Sequence, residues 1–155
     1  MRDGEVVQLC TFFAGAYRYA LDVMRVEEVL EPVPVTPVFG APDFVEGVVR
    51  LRDSVLPVVA LSVRMGTRPS PGRKPKFLIA RVADRRVALR VDGLDGVARV
   101  SRGDLRPVPG LASPGASPYV LGVYGPDDAF TLLLNLKAVL RADPGGRPHA
   151  PHPQP

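Results

Sequence analysis

The sequence predicts a mainly β protein assembled from two related units, and three observations carry that expectation. The block Pro32 to Leu61 recurs without a gap over Pro107 to Leu136, 75 positions later. It shows ten identities, among them Pro32/Pro107, Val33/Val108, Pro34/Pro109, Gly40/Gly115, Ala41/Ala116, Val45/Val120, Gly47/Gly122, Val48/Val123 and Leu61/Leu136. Chance in so Pro-, Gly- and Val-rich a chain gives roughly two or three. The alternation Tyr17, Tyr19, Leu21 before Asp22 reappears as Val87, Leu89, Val91 before Asp92, at an offset of 70. Short alternating runs separated by turn residues then follow one another along the chain, as half-buried strands do. A strand-rich unit of about 70 residues used twice implies two small β subdomains with a shared seam.

Each element has its own local reason. Val6 to Ala14 and Tyr17 to Asp22 read as a hairpin across Gly15-Ala16. Val23, Val26, Val29 and Leu30 are spaced as one helical turn running into a strand. Pro32, Pro34, Pro37 and Pro42 lack N–H donors, so that segment is a structured loop or crossover. Gly47 to Leu51 and Val55 to Ala60 form a second hairpin turning at Arg52-Asp53-Ser54, closed by a short helix from Leu61 to Met65. Gly66 to Pro75 is the boundary between repeats. Lys76 to Val82 and Arg86 to Asp92 repeat the hairpin, and Val97 to Val100 adds a strand. Tyr119 to Tyr124 and Ala129 to Leu134 pair across Gly125-Pro126-Asp127-Asp128, and Asn135 caps a helix from Leu136 to Arg141. The tail from Asp143 onward has no apolar periodicity and is expected to be disordered.

A chain of 155 residues can bury one sizeable core or two small ones sharing an interface. No apolar run approaches the length of a membrane span, and Met1 to Glu5 lacks a signal-peptide core, so a cytoplasmic protein without membrane insertion is expected. Cys10 stands in an alternating run and reads as a buried strand residue. The net charge of +4 invites a nucleic-acid reading. The bases, however, are 17 Arg and 3 Lys spread along the chain, with clusters such as Arg85-Arg86 in turn-like positions. No Trp and no aromatic-interleaved basic motif supplies a stacking platform, so no nucleic acid is expected as a partner.

Catalytic patterns are absent. His149 and His152 lie in the Pro-rich tail, no Cys or His pair has zinc spacing, and no Gly-rich loop ends in a phosphate-cradling Lys. Asp92 and Asp95, flanked by Gly93 and Gly96, read as turn carboxylates that bond backbone amides. No enzyme, metal or cofactor is expected.

The ordered motifs resemble a known family. F-x-x-G-x-x-Y-A-L-D-V-x-x-V-E-E-V-L precedes G-V-V-R-L-R-D-S-V-L-P-V-V-A-L and R-V-A-L-R-V-D-G-L, and the chain closes with L-G-V-Y and L-L-L-N-L-K-A-V-L. Over Val6 to Leu140 this pattern is similar to the CheW family, chemotaxis coupling proteins. The resemblance implies two five-stranded β-barrel lobes with short helices, forming one domain over 1–142 with the repeat boundary near 66–75, and a tail over 143–155. It implies a non-catalytic scaffold in chemosensory signal transduction. The partners it implies are the regulatory domain of a CheA-type histidine kinase and the cytoplasmic tip of a methyl-accepting chemoreceptor, at membrane-associated arrays.

Carried over by position, the resemblance makes Arg52 the receptor-contacting arginine, in Arg50-Leu51-Arg52-Asp53, where the family carries Asn-Leu-Arg-Gly. Val26, Glu28 and Val29 fall on positions implicated in the same contact, and Gly47 on the glycine that opens the signature strand. Val26 and Val29 are expected to wall an apolar groove, with the receptor tip held between the lobes. No kinase-contacting residue is assigned. Asp53 for glycine, Arg50 for asparagine, and Ala60 and Ala88 depart from the pattern. Asp53 is expected to accept a left-handed conformation and to be able to pair with Arg50 or Arg52. A CheW-like module of an accessory pathway that competes for the kinase, and a basic β-barrel that binds nucleic acid, are the alternatives.

Overall fold

The computed structural model describes residues 4–108 and 117–141. The tail, its two histidines, and the repeat members Pro109, Gly115 and Ala116 lie outside the described residues. Ten strands are described: β1 (Val6–Ala14), β2 (Tyr17–Asp22), β3 (Val26–Leu30), β4 (Val45–Leu51), β5 (Ser54–Ala60), β6 (Lys76–Val82), β7 (Arg85–Val91), β8 (Gly93–Ser101), β9 (Val120–Tyr124) and β10 (Thr131–Leu134). Helix α1 (Leu61–Arg64) follows β5, and α2 (Leu136–Val139) follows β10. A 3-10 turn at Val23–Arg25 leads into β3, as the spacing of its apolar residues predicts. The Asn135 side chain accepts from Ala138 N, the expected cap.

The strands form two five-stranded sheets, ordered β8-β1-β2-β10-β9 and β3-β6-β7-β5-β4. Each sheet curls until its free edges are tied. Behind β3, Thr36 N donates to Val48 O at 2.9 Å and Val48 N donates to Thr36 O at 2.8 Å. Behind β8, Arg106 and Val123 exchange the same two bonds, each 2.8 Å. At both closures the chains approach so closely that a glycine sits opposite the incoming carbonyl. A Cβ on Gly47 would overlap Thr36 O, and one on Gly122 would lie 2.8 Å from Arg106 O. The identity Gly47/Gly122 in the repeat therefore has a steric cause.

The repeat is present, but it is not the lobe. β1 and β2 from the first half join β8, β9 and β10 from the second, while β6 and β7 join β3, β4 and β5. The parallel pairings β2 with β10 and β5 with β7 both cross between halves. Strand register also refines the offsets. In the hairpins β4–β5 and β9–β10, Val49↔Leu56 and Tyr124↔Thr131 are equivalent pairs, which confirms 75. The first hairpins align Ala14↔Tyr17 with Val82↔Arg85, an offset of 68 rather than 70. At this offset the burial of Tyr17 to Asp22 and of Arg85 to Arg90 is the same residue by residue. The closing bridges match Thr36 with Arg106, so the identities Pro32/Pro107 and Val33/Val108 fall out of structural register.

Each barrel has its own small core. Val49, Leu56, Val58, Phe77, Ile79 and Ala88 fill one, and Leu9, Ala20 and Val100 the other. A larger cluster between them, including Phe12, Tyr19, Leu78, Leu89, Leu134 and Val139, joins the lobes. Burial there pushes the Tyr19 phenol up to about 12. Cys10 is buried, and burial raises its thiol pKa.

Arg64, 8% exposed, is the one cation deep in this seam among the described residues. Its Nε donates to Val139 O at 2.9 Å and its Nη2 to Arg141 O at 2.5 Å, satisfying carbonyls at the end of α2. The guanidinium lies 3.9 Å from the Phe44 ring centroid and 4.8 Å from that of Tyr119. Phe44 and Tyr119 are themselves repeat equivalents: Ala60 N donates to Phe44 O at 2.8 Å, as Asn135 N does to Tyr119 O at 2.7 Å.

Candidate partner-binding site

Arg52 occupies the two-residue turn between β4 and β5, with φ of 55°. The first turn residues of the other tight hairpins do the same, Gly15 at 60° and Ala83 at 55°. The left-handed position expected of Asp53 thus falls on Arg52, because the tight hairpin turns place it first. A non-glycine residue there costs roughly 1–2 kcal/mol, a cost the fold also carries at Ala83 without a side-chain bond; the Arg52 side chain has a partner of its own.

That partner is Glu28. Arg52 Nη1 donates to Glu28 Oε2 at 2.7 Å and Nη2 donates to Oε1 at 3.1 Å, a bidentate fork. Because β3 and β4 are the two edges of the sheet, this pair spans the barrel seam, a second tie beside the Thr36–Val48 bonds. The hydrogen bonds from Arg52, with its charge, hold the Glu28 carboxyl below the usual carboxylate range, and the same bonds raise the guanidinium pKa. The expected pairing of Arg52 with Asp53 is replaced by this longer-range one. Two further acids of β3 and the residue after it are also engaged. Glu27 accepts from Arg81 at 2.7 Å and from Arg86 at 2.9 Å, and Glu31 pairs with Lys76. A charged edge of this kind resists pairing with a stray strand.

Of the five residues assigned from the resemblance, Glu28 and Arg52 meet directly and Val29 stands beside them, 38% exposed. Val26 does not wall a groove with Val29. A register shift between Val26 and Glu28 turns it inward, where it packs on the central cluster. Gly47 is buried and serves the barrel closure.

The cavity at the junction of the lobes, of about 510 Å³, is lined by other residues: Leu21, Asp22, Arg25, Val82, Ala83, Leu121, Leu134 and Lys137 among them. Sequence reasoning passed over these positions. One signal was available: Leu121, 61% exposed, is an apolar residue of outward parity in β9. Among the described residues no group of three or more potential ligands could hold a metal ion, and no helix is long and apolar enough to cross a membrane.

The family model described as the CheW-like domain matches residues 8–143, nearly the whole chain. The chain belongs to the CheW-like family. Among its relatives, the chemotaxis protein CheW of Rhizobium meliloti is 31% identical over 137 residues, 88% of each chain. That of Helicobacter pylori is 27% identical over 140 residues, 90% of this chain and 84% of the relative. The crystal structure of the scaffolding protein TtCheW from Thermoanaerobacter tengcongensis superposes with a TM-score of 0.80 at 24% identity, covering 94% of this chain and 93% of that one. This CheW-like protein therefore has the fold of a CheW scaffold and belongs to a non-catalytic class of chemotaxis adaptors.

Proposed function

We propose that this protein couples the cytoplasmic tip of a chemoreceptor to the regulatory domain of a CheA-type histidine kinase, in the cytoplasm at receptor arrays. The observation that supports the reading is the Arg52–Glu28 fork on an exposed turn, beside Val29. A fixed ion pair beside the half-exposed Val29 suits a helical partner. Val29 offers an apolar contact, and the N–H groups of Arg52 not engaged by Glu28 take a carbonyl or carboxylate. Val26 and Gly47 act behind this face, Val26 by seating β3 on the core and Gly47 by letting the barrel close. Because Glu28 occupies the fork, a receptor carboxylate has to use the outer N–H groups or displace Glu28. Kinase contact by another face lets one chain bridge two partners, and weak single contacts suffice in a multivalent array.

The test is calorimetric titration of the purified protein against the regulatory domain of each CheA-type kinase of the same genome, and separately against a receptor-tip fragment. One-to-one binding to both, with Arg52→Glu losing only the receptor, is expected. Absence of kinase binding, or loss of both partners together, overturns the reading.

A further inference from the structure

A second cavity, of about 720 Å³, opens at the far end of the other barrel, between the β1–β2 turn, the 66–75 connection and the β9–β10 loop. We infer that it is a binding pocket for an acidic peptide segment of a partner protein, recognised by Arg68 and Arg73 over an aromatic floor. Its size lies within the range of pockets that take a few side chains or a small ligand, roughly 300–1,000 Å³.

The wall that carries the two arginines is rigid. The Asp92 carboxylate, 9% exposed, accepts from Gly15 N and from Ser70 N, both at 2.7 Å. Ser70 Oγ donates to Gly15 O, and Thr67 N donates to Ser62 O at 2.8 Å. Gly15 has no room for a Cβ, which would overlap Thr67. Pro69 and Pro71 fix φ on either side of Ser70. A connection that merely spanned two repeats would need none of this pinning.

The charges are arranged for an anion. Arg18, also in the lining, is answered by Asp95 at 3.3 Å. Arg68 and Arg73 are exposed and have no carboxylate partner among the described residues. The Arg73 guanidinium carbon lies 3.5 Å from the centroid of the Phe13 ring, a cation–π contact that by itself uses none of the hydrogen-bond donors an acceptor would need. Phe13 and Phe130 add apolar surface, as does Tyr17 at 44% exposure. Asp128 on the same lining repels any anion seated against it and accepts a peptide N–H, which favours a peptide whose carboxylates stand apart from that position over a ligand whose negative charge is concentrated at one point. Carboxylates spaced by apolar or aromatic residues satisfy all of these groups. The site lies on the opposite barrel from Arg52, so it stands independently of the receptor reading.

Fluorescence anisotropy with a labelled peptide of about ten residues alternating Glu with Phe and Gly, titrated with the full chain, tests this. Binding that weakens with salt and falls about tenfold in the double variant R68A/R73A is expected. Arg85→Glu, an exposed change on the other barrel, should leave it intact. No binding, equal binding by the double variant with its thermal unfolding unchanged, or ATP competing more tightly than the peptide would each overturn the inference.

Discussion

The ends of the two barrels began as the same structure and now differ in what they present. At one end β4 and β5 pair down to Leu51↔Ser54 and leave a two-residue turn, so Arg52 is thrust toward β3 and caught by Glu28. At the other end the pairing of β9 and β10 stops at Tyr124↔Thr131, and the loop between them stands open over a cavity. At the 68-residue offset, the pair Arg86–Glu27 of the first end corresponds to Arg18–Asp95 of the second. Glu28, however, corresponds to Gly96, and at the 75-residue offset of the other hairpins Arg52 corresponds to Asp127, which pairs instead with Arg106 at 3.2 Å. One ancestral ion pair survives on both sides; the exposed fork survives on one. Duplication fixed the scaffold, and a few charged residues made the two ends different surfaces.

The glycines at the closures offer the largest way to break this comparison. Gly47→Ala places a Cβ against Thr36 O at φ of 151°. Urea unfolding should show a loss of about 3 kcal/mol, against about 1–2 kcal/mol for Gly122→Ala. Equal losses would mean that the two closures are not tightened differently. Arg64→Ala removes the donor of Val139 O and Arg141 O from the seam and should cost about 2–3 kcal/mol by thermal or chemical unfolding. A loss below about 0.5 kcal/mol would show that the lobes are joined by the apolar cluster alone.

Arg52→Glu acts on one end only. Receptor-tip affinity should drop at least about tenfold, while unfolding stays nearly unchanged, since the pair is exposed. A large stability loss would make the fork structural. The smallest effect is a titration. The Glu28 carboxyl should titrate below an ordinary glutamate by NMR and return to the ordinary range in Arg52→Ala. A folded-state pKa below the unfolded one means that the pair's contribution is present above the unfolded value and is lost as pH falls through the folded value. An unshifted Glu28 would show that the fork does not persist in solution.

The local elements were legible because their causes are local. Alternation in β1 and β2, Asn135 before α2, and the prolines of 32–42 each fix a strand, a cap or a loop by short-range sterics and hydrogen bonding. The repeat was legible at Gly47/Gly122 and Val48/Val123, since the same closure imposes the same residues twice. The family pattern pointed to Arg52 and Glu28, but not to the bond between them. Their separation of 24 residues is bridged only when the sheet curls and brings its edges together.

By itself, the sequence determined the strands, the short helices, the duplicated unit and membership of the CheW-like family. Each rests on the order of residue types along the chain. Tertiary structure alone decided that each barrel takes strands from both halves and that Val26 faces inward. It also decided that Arg52 rather than Asp53 takes the left-handed turn position, and that Asp92 pins Ser70 to Gly15. These outcomes depend on pairing register and closure, contacts between residues far apart in the chain whose energies no local pattern encodes.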